Sequence, residues 1–179
     1  EEAGAQGLLA GLNAARMAGG AEATVFDRTQ SYIGVLVDDL VTHGVTEPYR
    51  MFTSRAEFRL SLRVDNADER LTPLGLQLGI VGSARQAAFE ARNRDITVLR
   101  DKLTNLSLTP QQAQGFGLQV NRDGLRRSAY QILSYPDVGF EQLSAVWPEL
   151  NAHAAPVVAR VTADAVYSVY LDRQAAEIQ

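Results

Sequence analysis

The chain has 179 residues, and its 46% apolar content is enough for a buried core in one or two domains. Its formal charge of -4, from 17 basic and 21 acidic side chains, excludes a general nucleic-acid coat, which needs an excess of cations. With no cysteine there is no disulfide framework, zinc ribbon or thiol nucleophile, a composition that fits a cytoplasmic protein. No apolar run approaches the roughly 20 residues of a membrane span, so a soluble protein is expected.

The first predicted element is a helix over 2–17. Gly4, Gly7, Gly11 and Ala14 fall on one flank with Leu8, Leu9 and Leu12 beside them, a pattern that lets a neighbour approach closely. As a phosphate loop it fails, because the glycine spacing is not G-x-G-x-x-G and no strand precedes it. Residues 18–30, with Gly19-Gly20, read as a linker. Ser31 then opens a helix over 32–42, in which Ile33, Leu36, Val37, Leu40 and Val41 recur at the spacing of a buried stripe and Gly44 lies near the end. Its Asp38-Asp39 pair diverges by about 100° around the helix and so cannot easily share one ion. Ion pairing or a solvated face is expected there. His43 and His153 stand apart, the hydroxyls have no evident base, and neither a catalytic residue nor a metal site is expected.

Residues 50–63 invert the local charge: Arg50, Arg55, Arg59 and Arg63 face a single acid, Glu57. Two periodicities fit. Phe58, Leu60, Leu62 and Val64 alternate as in a strand, whereas Arg55, Arg59 and Arg63 recur every four residues as on a helix. Ser54 and Glu57 form a capping-box pattern, which favours a helix over 54–63 with the three arginines in a row. Arg50 precedes it in a turn stiffened by Pro48. The arginines have two possible uses: structural pairing with Asp38, Asp39, Glu47, Glu57, Asp65, Asp68 and Glu69, or contact with RNA phosphates. The residues alone leave both open. Arg50, Arg55, Arg59 and Arg63 are therefore the candidate RNA-binding residues.

Further on, Asp65-Asn66-Ala67-Asp68 reads as a turn, and Thr72-Pro73 as the N-cap and first position of a short helix to about residue 80. Ser83 and Gln86 form a second capping-box pattern, opening the longest helix, 84–105, whose stripe is Phe89, Ile96, Leu99, Leu103 and Leu106. Thr109-Pro110, Gly115 and Gly117 separate it from short helices near 125–133 and 140–147. Pro156 begins a last helix with Val158, Val161, Ala165, Val169 and Leu171 on its apolar side. The fold expected is all-α, a helical bundle.

The string EPYRMFTSRAEFRLSLRVDNADERLT, residues 47–72, resembles the motif opening the C-terminal region of the glucose-inhibited division protein A family. That family comprises the FAD-binding large subunit of the bacterial tRNA uridine 5-carboxymethylaminomethyl modification enzyme. EEAGAQGLLAGLNAAR looks like the last helix of its FAD domain and SYIGVLVDDLVT like the helix that follows. The resemblance implies that 1–17 is a remnant of the FAD domain, 18–30 a linker, and 31–179 a helical C-terminal domain truncated at its end. It implies a parent enzyme that uses FAD and NADH, acts on tRNA with a GTPase partner and forms a homodimer, while the fragment itself holds no cofactor. It also implies that Arg50 and Arg59 belong to a basic surface that receives tRNA. The competing expectation is a helical interaction module that docks the GTPase or a second subunit without touching RNA.

Overall fold

A computed structural model describes residues 1–178, and within the last helix the side chains of 155–168 and 170. The chain divides into two compact units, Glu1–Leu78 and Gly79–Gln179. The regular elements of the described residues are helical apart from one short strand pair, so the fold is all-α.

In the first unit, α1 (Glu2–Ala18) carries an acid in its first turn and Arg16 in its last, both favourable to the helix dipole. It buries none of its own residues, and a Cβ added at Gly4, Gly7 or Gly11 would meet nothing within 4 Å. The segment after it folds back: the Asn13 amide donates to the Thr24 carbonyl at 3.0 Å while its oxygen accepts from Thr24 N–H at 2.7 Å. Helix α2 (Tyr32–Thr42) begins where Ser31 implied, with the buried Ser31 Oγ accepting from Gly34 N–H at 2.9 Å.

The helix expected over 54–63 does not form. Instead the chain makes a 3-10 turn, Thr53–Arg55, a loop with one closed turn, and a second 3-10 turn, Val64–Asn66. The Ser54–Glu57 box is absent because Ser54 lies inside the first turn and the Glu57 carboxylate is held by Arg28, 29 residues earlier. Carbonyls that a helix would bond to its own N–H groups are taken by side chains. Arg63 Nη1 donates to Leu60 O at 3.1 Å, Asn66 Nδ2 to Ser61 O at 2.9 Å, and Arg70 Nη2 to Arg63 O at 3.0 Å. This path lets Ala56 and Leu62 meet Val35 in a small core, with Tyr32, Met51 and Phe58 packed around it.

Helix α3 (Ala67–Gln77) starts before Thr72, so Pro73 lies inside it rather than at its first position. The missing proline N–H removes one backbone bond, to the carbonyl four residues earlier. In place of a cap at Thr72, Asp68 and Glu69 occupy the first turn, where the dipole favours acids.

The second unit is built on α4 (Ser83–Asn105), which packs on α6 (Ala129–Leu133) and α8 (Ala155–Ile178). The box expected from Ser83 and Gln86 is absent: Gly82 is the N-cap, and Gln86 donates to Glu90 one turn later. Ile96, Leu99 and Leu103 enter a core with Leu118, Ile132, Leu133, Leu143, Leu150 and Val161. Phe89, expected in that stripe, lies outside this core, and the side chains of Val169 and Leu171 lie outside the described ones. Between α4 and α6, β1 (Ser107–Leu108) pairs antiparallel with β2 (Arg127–Ser128), and α5 (Pro110–Gly115) lies between the two strands. Capping boxes do form at Thr109–Gln112 and Ser128–Gln131, starting α5 and α6. Helix α7 (Phe140–Val146) and a 3-10 turn at Pro148–Ala152 lead into α8.

Candidate nucleic-acid interface

The four candidate arginines all lie in the first unit, and their surroundings separate them. Arg63 is consumed by the fold, its side chain 11% exposed, with Nε donating to Asp65 Oδ1 at 3.0 Å and Nη1 to Leu60 O. Arg55 stacks on Tyr49, its guanidinium carbon 4.8 Å from the ring centroid, and lies 3.9 Å from Asp39 Oδ2. Arg50 and Arg59 are exposed, and among the described residues neither has a carboxylate within ion-pair distance. Two cations therefore remain available to a ligand.

Three of the acids that could have neutralised the segment are engaged by Arg28. Its guanidinium donates to Asp38, to Asp39 Oδ1 at 3.3 Å, and to both oxygens of Glu57 at 2.8 and 3.0 Å. This clustering of acid raises the Arg28 pKa further, led by the bond to Asp38. Asp38-Asp39 is thus an ion-pair site, and although the two carboxylates diverge around the helix, Arg28 Nη1 reaches both. Asp39 has a second tie, accepting from the Tyr49 hydroxyl at 2.7 Å. Burial, then that bond, pushes the Tyr49 phenol up to about 12, so it stays protonated as a donor.

Residues 48–52 lie between these anchors without regular secondary structure, and burial alternates along 49–52. Tyr49 and Met51 turn inward: Met51 packs on the small core, and its N–H donates to Glu2 Oε1 at 2.9 Å. That bond is the main cause holding the Glu2 carboxyl below its usual range, with the Arg50 charge adding to it. Arg50 and Phe52 turn outward, Phe52 with 53% of its surface exposed. Neither Arg28 nor Phe52 stood out in the sequence. Arg28 lacks a local signal because its partner Glu57 is remote, whereas Phe52 could have been found as an aromatic interleaved with arginines.

Among the described residues no group of three or more His, Cys, Asp or Glu could hold a metal ion, and no helix is long and apolar enough to cross a membrane. The described strands are the antiparallel pair β1–β2, so there is no strand–turn–helix to cradle a dinucleotide pyrophosphate. The described residues therefore do not fit FAD or NADH.

The family description "tRNA modifying enzyme MnmG/GidA C-terminal helical domain" matches residues 83–175. The chain belongs to this family. The tRNA uridine 5-carboxymethylaminomethyl modification enzyme MnmG of Granulibacter bethesdensis is 47% identical over 174 residues, 97% of this chain and 28% of that protein. The MnmG of Chloroflexus aurantiacus is 41% identical over 183 residues, 99% of this chain and again 28% of the relative. A crystal structure of Aquifex aeolicus GidA superposes with a TM-score of 0.78 at 32% identity, over 96% of this chain and 27% of that one. The chain thus spans little more than a quarter of the MnmG/GidA proteins it matches. The arginine segment precedes the residues matched by the family description but lies in the region shared with the relatives, which cover nearly the whole chain.

Proposed function

We propose that this chain is the tRNA-facing and partner-docking helical part of an enzyme that installs a carboxymethylaminomethyl-type group on the 5-position of the wobble uridine. The observation that carries the reading is the division of the arginines. Arg50 and Arg59 stay exposed without carboxylates while Arg28 engages Asp38, Asp39 and Glu57. A cation left unpaired on a surface of otherwise acidic balance is suited to bind phosphate. The longer protein would bring FAD and NADH for the redox chemistry, act with a GTPase partner, form a homodimer and work in the cytoplasm. The fragment by itself would be inactive, because a flavin supplies what these side chains cannot.

The test is tRNA binding by the full-length protein at several salt concentrations. Arg50→Ala and Arg59→Ala should each weaken binding and make the slope of log affinity against log salt shallower by about 0.7 to 0.9, with flavin content and melting temperature unchanged. Unchanged affinity in both variants would overturn the RNA reading and leave an interaction module. That second reading draws on α1, which buries no residue of its own and exposes Leu8 and Met17.

A further inference from the structure

We propose that Phe52 is the stacking platform for one unstacked base of the bound RNA, beside a phosphate held by Arg50. The inference rests on the RNA reading of the arginine surface and adds to it a contact that reads a base rather than the backbone.

Three observations carry it. Phe52 is 53% exposed, a large aromatic in water, whereas the neighbouring Met51 and Phe58 pack inward with Leu62; the only apolar side chain of the segment that is more exposed is the small, non-aromatic Val64. Its backbone is extended, with φ -115 and ψ 143, and residues 49–52 alternate inward and outward. Arg50 and Phe52 are thus both exposed and two residues apart, at most about 7 Å along the backbone. That separation suits a phosphate and the base of a single splayed nucleotide. The platform is also held in place: Met51 N–H is bonded to Glu2, Tyr49 to Asp39, and the Phe52 carbonyl accepts from Arg55 N–H at 2.9 Å. A backbone fixed before binding leaves little beyond the ring's own rotamers to be ordered when a base stacks on it. Sequence-specific RNA recognition uses unstacked bases in loops, laid against aromatic faces beside cations. A duplex offers no free base face, so the partner is a single-stranded or looped RNA segment.

The experiment uses the full-length protein with a tRNA anticodon stem-loop and a fully paired RNA duplex of equal length. Phe52→Leu keeps an apolar side chain of similar bulk but removes the aromatic face. Stacking predicts about 5- to 150-fold weaker stem-loop binding, an unchanged salt slope, an unchanged melting temperature and no change with the duplex. Phe52→Trp should restore binding, and its fluorescence should be quenched on adding the stem-loop. Equal stem-loop affinity for wild type and Phe52→Leu would overturn the proposal. So would a fall in melting temperature or flavin content in Phe52→Leu, which would show that Phe52 packs against another part of the protein. Failure of the phosphate reading is distinguishable, because that appears in the salt slope of the Arg50→Ala protein.

Discussion

The Asp27 carbonyl lies so close over Gly34 that a Cβ built there would sit 2.2 Å from the Asp27 oxygen. The contact seats the first turn of α2 under the chain that leads into it. No side-chain rotation can relieve it, since the neighbouring atoms are backbone.

Gly34→Ala should consequently destabilise the first unit by at least about 1 to 3 kcal/mol, the range for overpacking a filled site. Gly7→Ala, on the open flank of α1, should instead stabilise the fragment by roughly 0.5 to 1 kcal/mol through helix propensity. Urea unfolding of both variants checks the pair, and equal effects would contradict the geometry.

Leu99 is fully buried in the core between α4 and α8. Leu99→Ala should cost about 2 to 5 kcal/mol. A shifted unfolding midpoint with GTPase-partner affinity intact in the surviving folded protein is the expected outcome. The reverse pattern would move Leu99 from a core to a docking surface.

Arg28 gathers three carboxylates, so removing it leaves Asp38, Asp39 and Glu57 mutually repelling. Arg28→Ala should lower stability by about 1 to 2 kcal/mol, within the range for charge-assisted hydrogen bonds and lessened by partial exposure. Added salt should narrow the gap to wild type by screening the stranded acids. Melting curves at low and high ionic strength give the answer.

Two groups of the second unit contribute separable steps to the acid side of the stability profile. Burial, then the neighbouring Lys102 amine 3.3 Å away, lowers the His153 pKa, so the unfolded chain binds the proton more readily. Stability should therefore fall as pH drops from 6.5 through the lower folded value, and His153→Gln should flatten that part of the curve. The Arg127 guanidinium holds the Asp123 carboxyl at about 2 against an ordinary 3.8. Its stabilisation is complete above 3.8 and is lost as pH falls through that lower window. Asp123→Asn should reduce the second decline, to which the lowered carboxyls of Glu2 and Asp27 also contribute, and leave the first unchanged, as followed by melting temperature against pH.

What the sequence by itself determined was what local forces decide. The Ser31 cap, the Ile96–Leu99–Leu103 face of α4 and the all-α class depend on neighbours within a turn or two, and these appear in the structure as read, whereas the stripe of α2 does not: Leu36 is buried with Gly34 and Val35, and Val41 is 75% exposed. The arginine segment was a different case, since its helix and strand periodicities were both present and neither prevailed. Its path was decided by Arg28 reaching Glu57, by Arg70 taking carbonyls at Gln30 and Arg63, and by the packing of Ala56 and Leu62 on Val35. Those partners lie up to 40 residues apart, beyond the range of any capping or periodicity rule. The four arginines were sorted by local and distant contacts together: Arg63 is taken by Asp65 two residues on, Arg55 lies against Tyr49 and near Asp39 of α2, and Arg50 and Arg59 are left without a carboxylate partner among the described residues.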